Sequence, residues 1–457
     1  MIVMKFGGSS LESAEAIGRV TGIVAERAGR RPLVVVSAMG DTTDHLLATG
    51  RAAAAGKLNE ALRQLDDLRQ YHGREAQPIV PPEFHPELEK YFDVHFRELT
   101  ELARGLAILG EMTPRSIDAI ASYGERLSSF VVAMALRKRG IDSIHVDSRK
   151  VMVTSDRFTA AVPLFEETNE RLARLVQPLI QEGKVAVMGG FIASTKDGVT
   201  STLGRGGSDY TAAIFGAGLE AEEIQIWTDV DGILTADPTM LEGARRLRVL
   251  SFAEAAELAY FGARVLHPST LLPAIGKNIP VRVLNSRRPE LEGTLIVAEN
   301  PPSATAVKSI AYKEGITVVD ICSTRMLMAH GFLAKIFEVF NRHETPVDMV
   351  STSEVSVSLT IDRTDRLPEI TRELEQFAEV TATPGQAIVC VVGGNIRHTP
   401  GIAGRLFKAV ESVNVRMISQ GASRLNVSFV IDEKDLETAV AALHQTFFSE
   451  TDQAVFA

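Results

Sequence analysis

A lysine delivered onto two glycines opens the chain, in the run Met4-Lys-Phe-Gly-Gly-Ser-Ser10. Glycines let a backbone come close to a ligand, and unpaired amides at a helix start favour an anion. Lys5 adds a point charge to Gly7, Gly8 and Ser9, so this turn is a candidate anion site. The plain competitor is a tight turn beside a surface lysine. It is not a P-loop, because G-x-x-x-x-G-K-[ST] occurs nowhere.

Three further stretches share this character. In Thr202-Leu-Gly-Arg-Gly-Gly-Ser-Asp-Tyr-Thr211, glycines flank an arginine and lead into Ser208 and Asp209 at a helix start. Arg205 can hold a carboxylate through two parallel hydrogen bonds, and Asp209 can cap the helix or order a neighbouring cation. Trp227-Thr-Asp-Val-Asp-Gly-Ile233 follows an apolar strand-like run and puts Thr228 and Asp229 at its end, where ribose, adenine-edge or metal contacts are made. Phe261-Gly-Ala-Arg-Val-Leu-His-Pro268 presents Arg264 and Val265 beside a glycine, and His267 before a proline reads as structural. Gly216-Ala-Gly-Leu-Glu-Ala221 matches a loose GxGxxA but precedes a strand, the wrong order for a dinucleotide fingerprint.

The elements that must position these residues alternate over the first 300 positions. Ile2 to Phe6, Leu33 to Val36, Val185 to Met188 and Ile224 to Trp227 are continuous apolar runs, as strands buried on both faces of a parallel sheet require. Leu11 to Ala28 has helical spacing, and Thr43 to Arg139 is mostly helical, with Thr113 as an N-cap before Pro114. Lys196-Asp-Gly198 signals a hairpin. The fold class is α/β, a doubly wound and mainly parallel sheet whose ligands sit beyond the carboxyl ends of the strands. Turn-rich sequence over 286–305 places a boundary near 300.

Beyond it the chain repeats itself. Gly331 to Phe337 aligns with Gly401 to Phe407, and Ser356 to Asp362 with Asn426 to Asp432, both at an offset of 70 read directly from the sequence. Val347-Asp-Met349 aligns with Val415-Arg-Met417 at 68, so the second copy carries two extra hairpin residues. Each copy reads strand–helix–strand–strand–helix, an α+β ferredoxin-like unit. The strand over 307–312 can pair with either copy. Around Ser351 to Ser353 the first copy offers Asp348 and Glu354 with Val347 and Thr352, close to Met326, Ala329, Phe332 and Leu333. The second copy has Arg416 in place of Asp348, so a cationic amino acid finds carboxylates and hydroxyls only in the first.

Composition narrows the function classes. With 457 residues, 48 basic against 58 acidic and a net charge of −10, the chain has no basic face for tracking nucleic acid. The longest apolar run, the seven residues Phe130 to Leu136, is far short of the ~20 that span a bilayer. No charged leader precedes the first strand, so the protein reads as cytoplasmic and away from membranes. Cys322 and Cys390 both sit in apolar stretches and read as two reduced core thiols.

Taken together these motifs resemble the aspartate kinases, members of the amino-acid kinase family that phosphorylate the β-carboxylate of aspartate with MgATP. The likeness runs through KFGGSS at 5–10, SYGERLSS at 122–129, TLGRGGSDYTA at 202–212, IWTDVDGI at 226–233, FGARVLHP at 261–268 and the two repeats, which look like ACT domains. By spacing it is most similar to the lysine-sensitive, monofunctional branch. The resemblance implies a catalytic amino-acid kinase domain over 1–300 and ACT domains over 314–385 and 386–457. It also implies a first step towards lysine, threonine and methionine, and a homodimer or higher oligomer formed through the ACT domains.

The same resemblance implies roles. Lys5, Asp209 and Arg264 would be catalytic; Ser37, Thr43, Glu125, Arg205 and Ser208 would bind aspartate. Lys5, Gly7, Gly8, Ser9, Thr228, Asp229, Leu234, Thr239, Arg264 and Val265 would bind ATP, with Mg²⁺ arriving on the nucleotide and no protein side chain assigned to the metal. Met326, Ala329, Phe332, Leu333, Val347, Asp348, Thr352, Ser353 and Glu354 would bind the effector, L-lysine. The family usually has lysine at the position of Arg264, and commonly tyrosine and arginine at Leu234 and Thr239. Competing readings are another acidic-amino-acid kinase of the superfamily, a non-catalytic amino-acid sensor, and a nicotinamide dehydrogenase, the last disfavoured by the absent fingerprint.

Overall fold

The computed structural model describes residues 1–262, 268–300, 305–323, 330–449, 452 and 455–457. The chain divides into two compact units, Met1–Gly232 with Leu266–Ala298, and Ile233–Val265 with Glu299–Ala457.

In the first unit the strand Ile2–Phe6 lies between Pro32–Val36 and Glu223–Thr228, parallel to both. Val185–Gly189 and Ser143–Val146 continue the parallel sheet on one side. On the other side Val281–Asn285 is parallel and Thr294–Val297 antiparallel. The inner strands are buried at every position, which is why their sequences are unbroken apolar runs instead of alternating ones. From Ile2–Phe6 the chain builds outward first one way and then the other. The strand order therefore reverses between Ile2–Phe6 and Glu223–Thr228, and ligands of such sheets bind at the carboxyl ends flanking that reversal. The turn after Phe6 and the residues after Trp227 both lie there.

The long helical stretch resolves into Thr42–Ala54, Leu58–Ala76, His85–Leu109 and Pro114–Arg137. Thr113 caps the last as expected, accepting from Ser116 N at 3.2 Å. This helix is buried from Ile120 through Leu136, so one element carries the motif 122–129 into the core. The predicted hairpin joins Ile192–Thr195 to Thr200–Thr202, and Val153–Thr154 completes a small second sheet.

In the second unit one sheet serves both repeats. The strand predicted over 307–312 is the start of a 14-residue strand, Ser309–Cys322, which runs antiparallel to the equally long Glu379–Val392. Its first half, Ser309 to Lys313, pairs with Ile388 to Val392, so it belongs with the second repeat. Its second half pairs with Ser356–Ile361 of the first repeat. The helices Phe332–Arg342 and Ile402–Ala409 each start after a glycine in the left-handed region, as the repeat demands. The hairpin loop is 353–355 in the first repeat and 421–425 in the second, matching the two extra residues. One expectation fails: Cys390 is buried, but Cys322 is exposed. Ile321 beside it points into the core, and strand alternation turns its neighbour outward.

Candidate active site

Lys5 is the fourth residue of a wholly buried strand, and only 9% of it is exposed. A buried ammonium needs a partner, and Asp209 supplies one with Oδ1 2.6 Å from Nζ. Asp209 stands in the first turn of the helix Gly207–Gly218, which Gly206 opens at φ 72. Both line a cavity of about 250 Å³, with Ser37, Thr43, Glu125, Phe191 and Ser208 and with Gly204, Gly206 and Gly207.

Local chemistry sets each wall. Ser37 follows the strand Pro32–Val36, its amide bonds Phe6 O at 3.1 Å, and its carbonyl accepts from Ser128 Oγ at 2.7 Å. Glu125 Oε1 accepts from Ala38 N at 3.2 Å, while Oε2 is buried without a hydrogen-bond partner. Burial pushes the Glu125 carboxyl up to about 8, against the opposing pull of its own amide, the Ala38 amide and the Lys5 charge. Ser208 crosses so close to Gly190 that a Cβ there would sit 2.7 Å from Ser208 Cα. Thus the structure brings Lys5, Asp209, Ser37, Thr43, Glu125 and Ser208 together. Gly204 and Gly206 line the cavity too, whereas Arg205 between them is exposed and is not among its lining residues.

The glycine turn stands next to the end of a second strand. Gly7 N donates to Trp227 O at 3.1 Å, and Ser10 Oγ lies 2.7 Å from Ser286 Oγ, which in turn bonds Thr228 O at 3.1 Å. Gly8 and Ser9 are therefore neighbours of Thr228 and Asp229, whose side chains bond each other at 3.1 Å. A larger cavity of about 810 Å³ also borders Gly8 and Ser9, with Glu12, Asp41, Asp67, His45 and Tyr71 in its walls. Among the described residues its lining has carboxylates and no lysine or arginine, whereas the smaller cavity carries Lys5.

Leu234 and Thr239 belong to the second unit. There Thr239 is tied to Asp237 Oδ1 through its amide at 2.8 Å and its hydroxyl at 2.6 Å, and Leu234 O accepts from Ser309 Oγ at 2.8 Å. Arg264, Val265, Met326 and Ala329 lie outside the described residues. Of the remaining effector candidates, Phe332 is buried in the core of the first repeat, edge-on to Phe377 at 5.7 Å. Leu333, Thr352, Ser353 and Glu354 are exposed, and Val347 and Asp348 are half-buried.

Two residues escaped the sequence reading. Phe191 lines the cavity and holds φ 63, a strained value for an aromatic residue, fixed by its amide on Thr211 Oγ1 at 3.0 Å. Asp118 is fully buried and accepts from Thr159 N, Thr202 N and Thr202 Oγ1, which anchors the start of the glycine-rich loop. Neither carries a local signal, because both act through partners far along the chain. Among the described residues no group of three or more His, Cys, Asp or Glu is placed to hold a metal ion, and no helix is long and apolar enough to cross a membrane.

Comparison with known proteins adds names to this geometry. The amino acid kinase family model matches residues 1–285, and an ACT domain model matches 319–366 and 389–447. The chain is 39% identical to aspartokinase 1, chloroplastic, of Arabidopsis thaliana, over 98% of this chain and 80% of that one. It is 38% identical to the lysine-sensitive aspartokinase 3 of Escherichia coli (strain K12), over 98% and 99%. Two crystal structures of E. coli aspartokinase III, one with aspartate and ADP (R-state) and one with lysine and aspartate (T-state), each superpose with a TM-score of 0.82 at 37% identity. Each covers 98% of this chain and all of that one.

Proposed function

From a chain that belongs to the aspartokinases of the amino acid kinase family, we infer an enzyme that transfers the γ-phosphoryl group of ATP to the β-carboxylate of L-aspartate, giving 4-phospho-L-aspartate. The observation that carries this reading is the cavity in which Lys5, paired with Asp209 at 2.6 Å, faces Glu125, Ser37, Thr43 and Ser208. Aspartate's carboxylate is already ionised, so the reaction needs no general base. It needs two anions held in line while cations offset their repulsion.

In this reading Gly7, Gly8, Ser9 and Lys5 receive the phosphates, with Thr228, Asp229, Leu234, Thr239, Arg264 and Val265 on the nucleotide side. Glu125 takes the aspartate ammonium, Arg205 closes on a substrate carboxylate, and Asp209 keeps Lys5 aimed. Mg²⁺ would come as part of the MgATP substrate, with no protein side chain assigned to it, and would supply positive charge beside that of Lys5. Residues 1–300 form the catalytic domain and 314–385 and 386–457 the two ACT domains, which pair copies of the chain into a homodimer or larger assembly. The product starts the route to lysine, threonine and methionine in the cytoplasm, and L-lysine inhibits by binding at the first repeat around Asp348. The lysine-bound relative supports that effector.

Hydroxamate formation from L-aspartate and MgATP, with and without L-lysine, tests both halves. Activity on aspartate that falls as lysine rises is expected. Preference for glutamate or carbamate points to a different acid kinase of the superfamily, and no turnover at all points to a sensor.

A further inference from the structure

Lys313 stands on the strand Ser309–Cys322, just before its register against the neighbouring strand shifts between Lys313 and Ile316. Its Nζ lies 2.7 Å from Asp348 Oδ1 and 2.8 Å from Asp362 Oδ2. Tyr260 completes the arrangement: its hydroxyl donates to Asp348 Oδ1 at 3.2 Å, and its ring is 5.8 Å from the ammonium. Two carboxylates and the face of a phenol make a seat for a primary ammonium, and the chain's own lysine fills it. The seat has acceptor capacity left over. The Asp348 side chain is only 5% exposed, yet its Oδ2 is buried with no hydrogen-bond partner.

The second repeat meets the same carboxylate differently. Arg416, at the position of Asp348, places Nε 3.0 Å from Asp432, the counterpart of Asp362. There the cation replaces the carboxylate on its own strand, and an incoming ammonium has no equivalent of Asp348 to take. In the first repeat the cation comes from another strand on a flexible four-carbon stem, with 22% of its side chain exposed. It can turn outward while Asp348 stays.

We propose that Lys313 is a built-in competitor for the ammonium of a cationic effector. The incoming ammonium takes Asp348, Tyr260 and Asp362 complete its seat, and Lys313 turns to solvent. This rests on the reading of the first repeat as the effector site and adds what sets its affinity. The ligand class is an amino acid ending in a primary ammonium, and a chain of equal length without that charge gains nothing from the seat.

Calorimetric titration of the full-length protein with L-lysine, and with L-norleucine as the uncharged-tip control, tests this on wild type, K313R and two charge-removing variants, K313M and K313Q. Either charge-removing variant that folds is expected to bind L-lysine about tenfold tighter than wild type, K313R like wild type, and no variant is expected to gain norleucine affinity. Equal lysine affinity in wild type and the charge-removing variants overturns the proposal and leaves the effector reading standing. So does an equal gain for norleucine. Tighter lysine binding by K313M, beside a wild-type activity that lysine does not change, supports the proposal and overturns the inhibition reading. No lysine binding by any of the four overturns both.

Discussion

Lys5 Nζ and Asp209 Oδ1 are 2.6 Å apart, an ion pair that ties the first strand of the sheet to the helix Gly207–Gly218. Neither side chain is more than 14% exposed, so the pair is held in a medium where charge interactions are strong. Asp209 fixes where the ammonium points and prevents a buried cation from standing alone. The position of Lys5 at the end of a parallel strand puts that ammonium beside the glycine turn.

Replacing Lys5 by alanine removes the cation beside the turn. One cation at ~4 Å, with an effective dielectric near 20, contributes about 4 kcal/mol, roughly a thousandfold in rate. Lys5→Ala is expected to lower kcat/KM by about 10²–10⁴ with the fold intact. A coupled ATP/ADP assay beside a melting curve measures it, and near-wild-type turnover refutes the role.

Glu125 gives a pH signature. Its carboxyl is pushed up to about 8 by burial, while its usual value is 4.5. Between those two values the unfolded chain releases the proton and the folded one keeps it, so this group makes the protein less stable as pH rises and has no further effect above about 8. Substrate binding runs the other way, because an ammonium prefers the ionised carboxylate. KM for aspartate should fall by about tenfold per unit from pH 6 to 8 and then level off. Glu125→Gln should raise KM and flatten that profile. A profile whose slope survives Glu125→Gln, with KM for ATP as the control, assigns the titration to another group.

Much of this could be read from sequence, because strand ends at a reversal of strand order carry short contiguous signals. Lys5 with Gly7 and Gly8, and Ser208 with Asp209, lie within single motifs, and the buried strands beneath them are unbroken apolar runs. The repeat was visible because each copy keeps its own register. What stayed hidden depends on partners distant in the chain. Asp118 looks like any polar residue in a helix until Thr159 and Thr202 fold onto it. Phe191 shows its strained backbone only in three dimensions. An apolar neighbourhood does not reveal which face a strand residue takes, which is why Cys322 reads as core, and Lys313 carries no local signal because its two carboxylates come from segments distant in the chain.

Gly190 tests the closeness on which Ser208 depends. A Cβ at Gly190 would lie 2.7 Å from both Ser208 Cα and Cβ, nearer than carbon atoms approach without a shift. Backbone cannot give as a side-chain tip can, so Gly190→Ala is expected to cost about 1–3 kcal/mol. The displaced wall should raise KM for aspartate more than KM for ATP. Equal effects on the two constants argue that Ser208 does not face the amino acid.

Asp118 tests whether the glycine-rich loop is held from beneath. Its Oδ2 accepts from Thr202 N at 2.9 Å and Oδ1 from Thr202 Oγ1 at 2.7 Å, while Thr159 N lies 3.0 Å from each oxygen. Thr202 opens the segment that carries Arg205, Ser208 and Asp209, so a loop released at Thr202 loses its aim at the far end. Asp118→Ala leaves the buried Thr202 amide and hydroxyl and the part-buried Thr159 amide without their acceptor, and should cost about 2–4 kcal/mol, seen as a lowered Tm. Asp118→Asn keeps one acceptor oxygen but turns an NH₂ towards donors, and should cost about half as much. At a temperature where both variants remain folded, KM for aspartate is expected to rise several-fold while KM for ATP moves little. If Tm falls but KM for aspartate does not change, the loop keeps its geometry without Asp118, and the residue only stabilises the fold.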